Sequence, residues 1–203
     1  MKKFLVAAVA LLVAVTASAE GFGLVGGFTS SKVKMEEITF RNSAGIHAGI
    51  AYNVPLIAGF AIQPELVYNV KGFNWEGSSA EGYRLRQQAK YGYVEVPVQL
   101  QWGPDLLLLR PYVFAEPFIG FAVNGMQTYN EKKIKVDWDD VKSRLEYGMG
   151  VGAGLELMNR FQLSFKYFWN VEDANQWTNM DAASEHVKSR SFNGLLFSVG
   201  LFF

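Results

Sequence analysis

The stretch Asn193-Gly-Leu-Leu-Phe-Ser-Val-Gly-Leu-Phe-Phe203 decides the fold. Counting back from Phe203, the apolar residues Leu201, Val199, Phe197 and Leu195 fall on every second position. Gly200, Ser198 and Gly194 lie between them, and Phe202 and Leu196 are the exceptions. This is a period-2 strand with one apolar face, and it ends on an aromatic pair that a water-exposed surface rarely carries. In a transmembrane β-barrel the last strand closes against the first and its outward residues meet lipid. The expected fold is therefore all-β, an eight-stranded antiparallel up-and-down transmembrane barrel.

The opposite end of the chain agrees. Lys2 and Lys3 precede an unbroken apolar run from Phe4 to Val15, and Ala17-Ser-Ala19 completes a cleavage pattern. Residues 1–19 read as a signal peptide cut before Glu20, with the barrel domain over 20–203. The apolar run is too short to cross a hydrocarbon core of ~30 Å comfortably as a helix. Cysteine is absent, which excludes disulfides, thiol chemistry and a lipidated cysteine anchor. Nineteen basic residues balance nineteen acidic ones, so the charge gives no reason to expect a nucleic-acid partner. Aromatics make up 15% of the residues, and the chain has 20 glycines. Both fit aromatic girdles around a small-residue lumen.

Seven further alternating segments precede the C-terminal one. They run from about Phe22 to Thr29, Ala44 to Val54, Phe60 to Val70, Tyr91 to Trp102, Arg110 to Val123, Arg144 to Leu157 and Phe161 to Asn170. The sixth is the clearest, with Leu145, Tyr147, Met149, Val151, Ala153, Leu155 and Leu157 set against Gly148, Gly150, Gly152 and Gly154. Three connections are short, near Asn53–Gly59, Gly103–Leu109 and Met158–Arg160. Four are long and polar, at Ser30–Ser43, Lys71–Lys90, Asn124–Ser143 and Val171–Phe192. Short turns facing long loops mark an outer-membrane meander. Tyr68, Trp102, Tyr112, Tyr167 and Trp169 near strand ends suit interfacial girdles.

A soluble lipocalin-like barrel or a β-sandwich shows the same alternation turned inside out. What separates the readings is the polar face, which in this chain holds Gly, Gln, Asn and Ser with about one charge per strand rather than a charged solvent surface. With the apolar faces outward, the lumen receives Glu65, Glu95, Glu116, Glu146 and Glu156, together with Arg110, Arg144, Lys166 and His47. Glu65, Glu95 and Glu116 lie on successive strands and are expected to be neighbours. An eight-stranded interior is just wide enough for side chains, so an ion-paired plug is favoured over a proton or ion path.

Ser184, Glu185, His186 and Ser189 share the last long loop, but a Ser/His/Glu set needs a spatial arrangement that their proximity in sequence does not supply. No enzyme activity, cofactor or metal is expected. The acidic runs Glu172-Asp173 and Asp137 to Asp140 read as solvated loop charge.

The chain resembles the PorT-like outer-membrane β-barrel proteins of Bacteroidetes. The resemblance rests on Ile62-Gln-Pro-Glu-Leu-Val-Tyr68 with Lys71-Gly72, Tyr93-Val-Glu-Val-Pro-Val98, Arg110-Pro-Tyr112 with Gly120, Gly148 to Glu156, Leu163 to Tyr167, and Asn193 to Phe203. Glu116-Pro117 stands where a Gly-Pro pair is expected, and Lys166 where Arg is commoner. The resemblance implies an outer-membrane barrel domain and carries over no active site. The expected protein is monomeric and sits in the outer membrane with a plugged lumen. It meets membrane lipid and lipopolysaccharide, the barrel-assembly machinery and an unidentified loop partner. The expected role is structural or adhesive, or accessory to an envelope machine such as a secretion apparatus. The alternatives are a small transport barrel and a lipid-modifying enzyme.

Overall fold

In lipid no water is available to satisfy a strand edge, so a sheet that spans a membrane must close on itself. The computed structural model describes residues 21–34, 41–78, 84–129, 132–135, 144–171 and 191–203. Within them the strands are β1 Phe22–Lys34, β2 Arg41–Tyr52, β3 Val54–Pro55, β4 Phe60–Ser78, β5 Arg84–Trp102, β6 Leu109–Tyr129, β7 Lys132–Lys135, β8 Leu145–Leu157, β9 Phe161–Asn170 and β10 Ser191–Phe202. Antiparallel pairing runs from β1 to β2, on to β4, β5, β6, β8, β9 and β10, and back to β1. The eight long strands thus form a closed barrel; β3 pairs with β4, and β7 with β6. At the seam between the first and last strands, Phe203 N–H donates to the Phe22 carbonyl at 2.8 Å and Gly21 N–H to the Phe203 carbonyl at 3.1 Å.

The barrel is inverted relative to a soluble one. Phe28 is 69% exposed and Phe165 52%, whereas Glu116 is 0% and Lys71 1% exposed. Apolar side chains therefore face out along every long strand, as a lipid-facing band requires, and the lipocalin-like alternative is excluded. Tyr68, Trp102, Tyr167 and Trp169 lie on the outer face as expected. Phe60 and Trp102 meet at 6.5 Å near the turn end, and Tyr167 and Trp169 stack at 5.9 Å higher up. Tyr112 corrects the girdle expectation. It is buried, because its position shares the inward parity of Phe114 and Glu116, and parity overrides its nearness to a strand end.

Several strands run past their expected ends, while β2 stops at Tyr52 rather than Val54 and β8 begins at Leu145 rather than Arg144. β4 continues eight residues past Val70 to Ser78, β5 begins at Arg84 rather than Tyr91, and β6 runs on to Tyr129. The hairpin Lys71–Ser78 against Arg84–Tyr91 keeps a continuous register. Above the apolar band the outward residues turn polar, so alternation no longer marks a strand whose hydrogen-bond ladder persists. The signal peptide at 1–19, Ser184, Glu185, His186, Ser189, Glu172-Asp173 and Asp137–Asp140 lie outside the described residues.

The glycine-rich face of β8 has a packing reason. Phe118, Phe114 and Tyr112 on β6 stand directly opposite Gly148, Gly152 and Gly154. A Cβ at any of these glycines would run into the facing ring. One strand supplies bulk and its neighbour supplies room, so both fit a narrow lumen. Gly152→Val is expected to destabilise the barrel by about 1–3 kcal/mol through overpacking, read by urea unfolding in lipid vesicles; unchanged stability would refute the packing argument.

Candidate functional site

The inward residues build a polar column along the barrel. At the end that carries the short turns, a vestibule of about 810 Å³ is lined by Asn53, Arg110, Glu156 and Gln162 among apolar Leu109 and Phe202. Arg110 donates to Gln101 Oε1 at 3.0 Å and to the Gly59 carbonyl at 3.1 Å. It also pairs with Glu156 at 3.4 Å and with Asp105 at 3.3 Å. Glu156 accepts from Gln162 Nε2 at 3.0 Å.

A glutamine ladder leads inward from Arg110. Gln101 donates to Gln63 and Gln99, and these two donate to Glu65 Oε1 at 2.8 and 2.9 Å. Glu116 on β6 pairs with Lys166 on β9 across the intervening β8. The Lys166 stem passes over Gly150, where an added Cβ would lie in ordinary van der Waals contact with it.

A further charge centre surrounds Lys71. Its Nζ lies 2.9 Å from both Glu95 Oε1 and Glu146 Oε1. Asn69 Nδ2 donates to both Glu95 oxygens at 3.1 and 3.2 Å, and Asn170 Nδ2 donates to Glu146 Oε2 at 2.6 Å. The ammonium also sits over the rings of Phe118, Phe168 and Tyr93 at 4.5, 4.8 and 5.3 Å. Glu95 and Glu146 flank Gly120 across the sheet, and a Cβ there would come within 3.0 Å of both side chains. Toward the long hairpins an aromatic layer closes the lumen. Phe192 contacts Phe73, Tyr91 and Tyr93 with ring centres 6.3 to 6.5 Å apart.

Seven of the eight anticipated lumen charges fall in this column: Glu65, Glu95, Glu116, Glu146, Glu156, Arg110 and Lys166. Arg144 lies half-buried just ahead of β8, where its carbonyl accepts from Ala122 N–H at 2.8 Å. The expected glutamate neighbours lie close together: Glu65 and Glu95 line one small cavity beside Lys166, the partner of Glu116. Each carboxylate takes its own partner: Glu95 joins Lys71, Glu116 joins Lys166, and Glu65 takes two amide donors. Lys71 and Phe192 fall in segments that read as loops from the sequence, and so escape the parity count of the lumen. Continuing the inward parity of Glu65, Val67 and Asn69 by one step would have found Lys71. Among the described residues no three His, Cys, Asp or Glu side chains converge as metal ligands.

Residues 18–176 match the outer membrane protein beta-barrel domain. The chain belongs to this family of outer-membrane β-barrels. Solved structures of similar fold include Ail, the attachment invasion locus protein of Yersinia pestis. It is 12% identical, covers 91% of this chain and 99% of its own, and has a TM-score of 0.45. OprG from Pseudomonas aeruginosa is 12% identical over 91% of this chain and 96% of its own, at a TM-score of 0.44. The outer membrane enzyme PagL is 9% identical over 89% and 99%, at 0.42. These likenesses concern fold alone. No curated protein sequence matches the chain.

Removing one partner of a buried ion pair strands the other charges. Lys71→Met is therefore expected to cost about 3–5 kcal/mol. The triple variant Lys71→Met, Glu95→Gln, Glu146→Gln should recover part of that loss, because it leaves no uncompensated charge at the centre. Urea unfolding in vesicles measures both, and a Lys71→Met protein as stable as its parent would contradict the assignment.

Proposed function

We propose that this protein is a closed outer-membrane barrel that works through the surface it displays beyond the membrane rather than through a pore. The observation that carries this reading is the filled lumen. The Lys71 centre and the aromatic layer around Phe192 occupy it at the end where β4, β5 and β6 extend past the lipid-facing band. A protein built to conduct would keep that end open. The long loops and extended hairpins then serve an adhesive or structural role, or dock the barrel into an envelope machine such as a secretion apparatus. The leader at residues 1–19 is removed before Glu20, and the barrel-assembly machinery inserts the monomer beside lipopolysaccharide. It works without a cofactor and is not an enzyme.

A second reading, a small transport barrel, draws on the vestibule of about 810 Å³ beside Arg110. Planar-bilayer recording on the refolded protein separates the two. Closed-barrel behaviour, with no stable single-channel conductance, is expected, and resolved channel events would favour transport. For the lipid-modifying alternative, cells that express the protein should keep an unchanged lipid A profile with and without Ser184→Ala or His186→Ala. A change lost in either variant would make the protein an enzyme.

A further inference from the structure

The interior hydrogen bonds fall into separate sets. One runs from the vestibule through Arg110, Gln101 and Gln99 to Glu65. A second joins Thr29, Asn69, Glu95, Lys71 and Glu146. A third is the Glu116–Lys166 pair, and a fourth is His47 Nε2 with Ser198 Oγ at 3.0 Å.

All four sets border one small cavity. Its walls include Glu65 and Gln99 from the first set, Asn69 and Glu95 from the second, Lys166 from the third, and both His47 and Ser198 from the fourth. Its volume is about 10 Å³, close to the ~10–15 Å³ that a single water requires. His47 is 5% exposed, and its Nδ1 has no hydrogen-bond partner.

We infer that this cavity is a specific site for one ordered water molecule, which joins the Glu116–Lys166 pair and the His47–Ser198 pair to one of the two longer sets. A water has two O–H donors and two lone pairs. Its two O–H groups donate to His47 Nδ1 and to one of the Glu65 and Glu95 carboxylates, and its lone pairs accept from the Lys166 ammonium and from the hydroxyl of Ser198 or Ser164, which also lines the cavity. A metal cation fits poorly, because it would lie against that ammonium. A dry cavity fits poorly because its walls are polar. The water fixes the histidine tautomer. With Nδ1 accepting from water, Nε2 carries the proton and donates to Ser198 Oγ.

The test is solid-state NMR of histidine-labelled protein refolded in lipid bilayers, with a His47→Gln sample to assign the signals. The expected result is an Nε2-protonated His47 whose ring shows a cross-peak at the water frequency. Val67 also lines the cavity, and Val67→Ile adds about one methylene there. That variant should abolish the cross-peak and lower the thermal unfolding midpoint. A parent protein with no water contact at His47 would overturn the inference. So would a Val67→Ile barrel with a raised midpoint, the behaviour of a filled dry hole. Should Val67→Ile fail to give the heat-modifiable gel migration of a folded barrel, the parent spectrum decides alone.

Discussion

The closure of β10 on β1 is the constraint on which everything else depends. A backbone N–H or C=O left unpaired in hydrocarbon costs several kcal/mol, so the strands must form a ring. That ring fixes which residues are neighbours. Gly23 meets Phe202 and Lys34 meets Ser191, and the register leaves the lumen-facing side chains no freedom to change sides. Once eight strands close, the interior is only as wide as the side chains that enter it.

That width explains the interior chemistry. Bulky rings on β6 need the glycines of β8, and the two carboxylates that hold Lys71 need Gly120 between them. The charges are few, and most are answered within the column. Lys71 binds two carboxylates and three ring faces, and Lys166 reaches across a glycine strand to Glu116. Such a network stabilises little net of desolvation, but breaking it is expensive. It therefore acts as a lock on register and a plug more than as a source of stability. The vestibule beside Arg110 and the aromatic layer around Phe192 make the two ends of the column unlike each other.

Much of this was legible in the chain. Alternation within the lipid band separated Val151 from Gly150 and Phe197 from Ser198, and eight such segments set the strand count. Legibility failed where lipid no longer imposes a pattern. Lys71, Phe73 and Tyr91 sit in or at the edge of a segment that reads as a polar loop, yet the ladder between β4 and β5 continues through them. Phe192 was lost for the same reason at the start of β10. Tyr112 failed differently: position near a strand end suggested a girdle, and parity sent it inward.

By itself the sequence determined the architecture, the outward and inward faces, and the identity of most lumen charges, because a two-residue period read against lipid leaves only one arrangement. Only the tertiary structure decided which charges meet. Partners such as Lys71 and Glu146 lie on strands that are not adjacent to each other, and their contact across the lumen depends on the curvature and stagger of the closed ring, which no local pattern encodes.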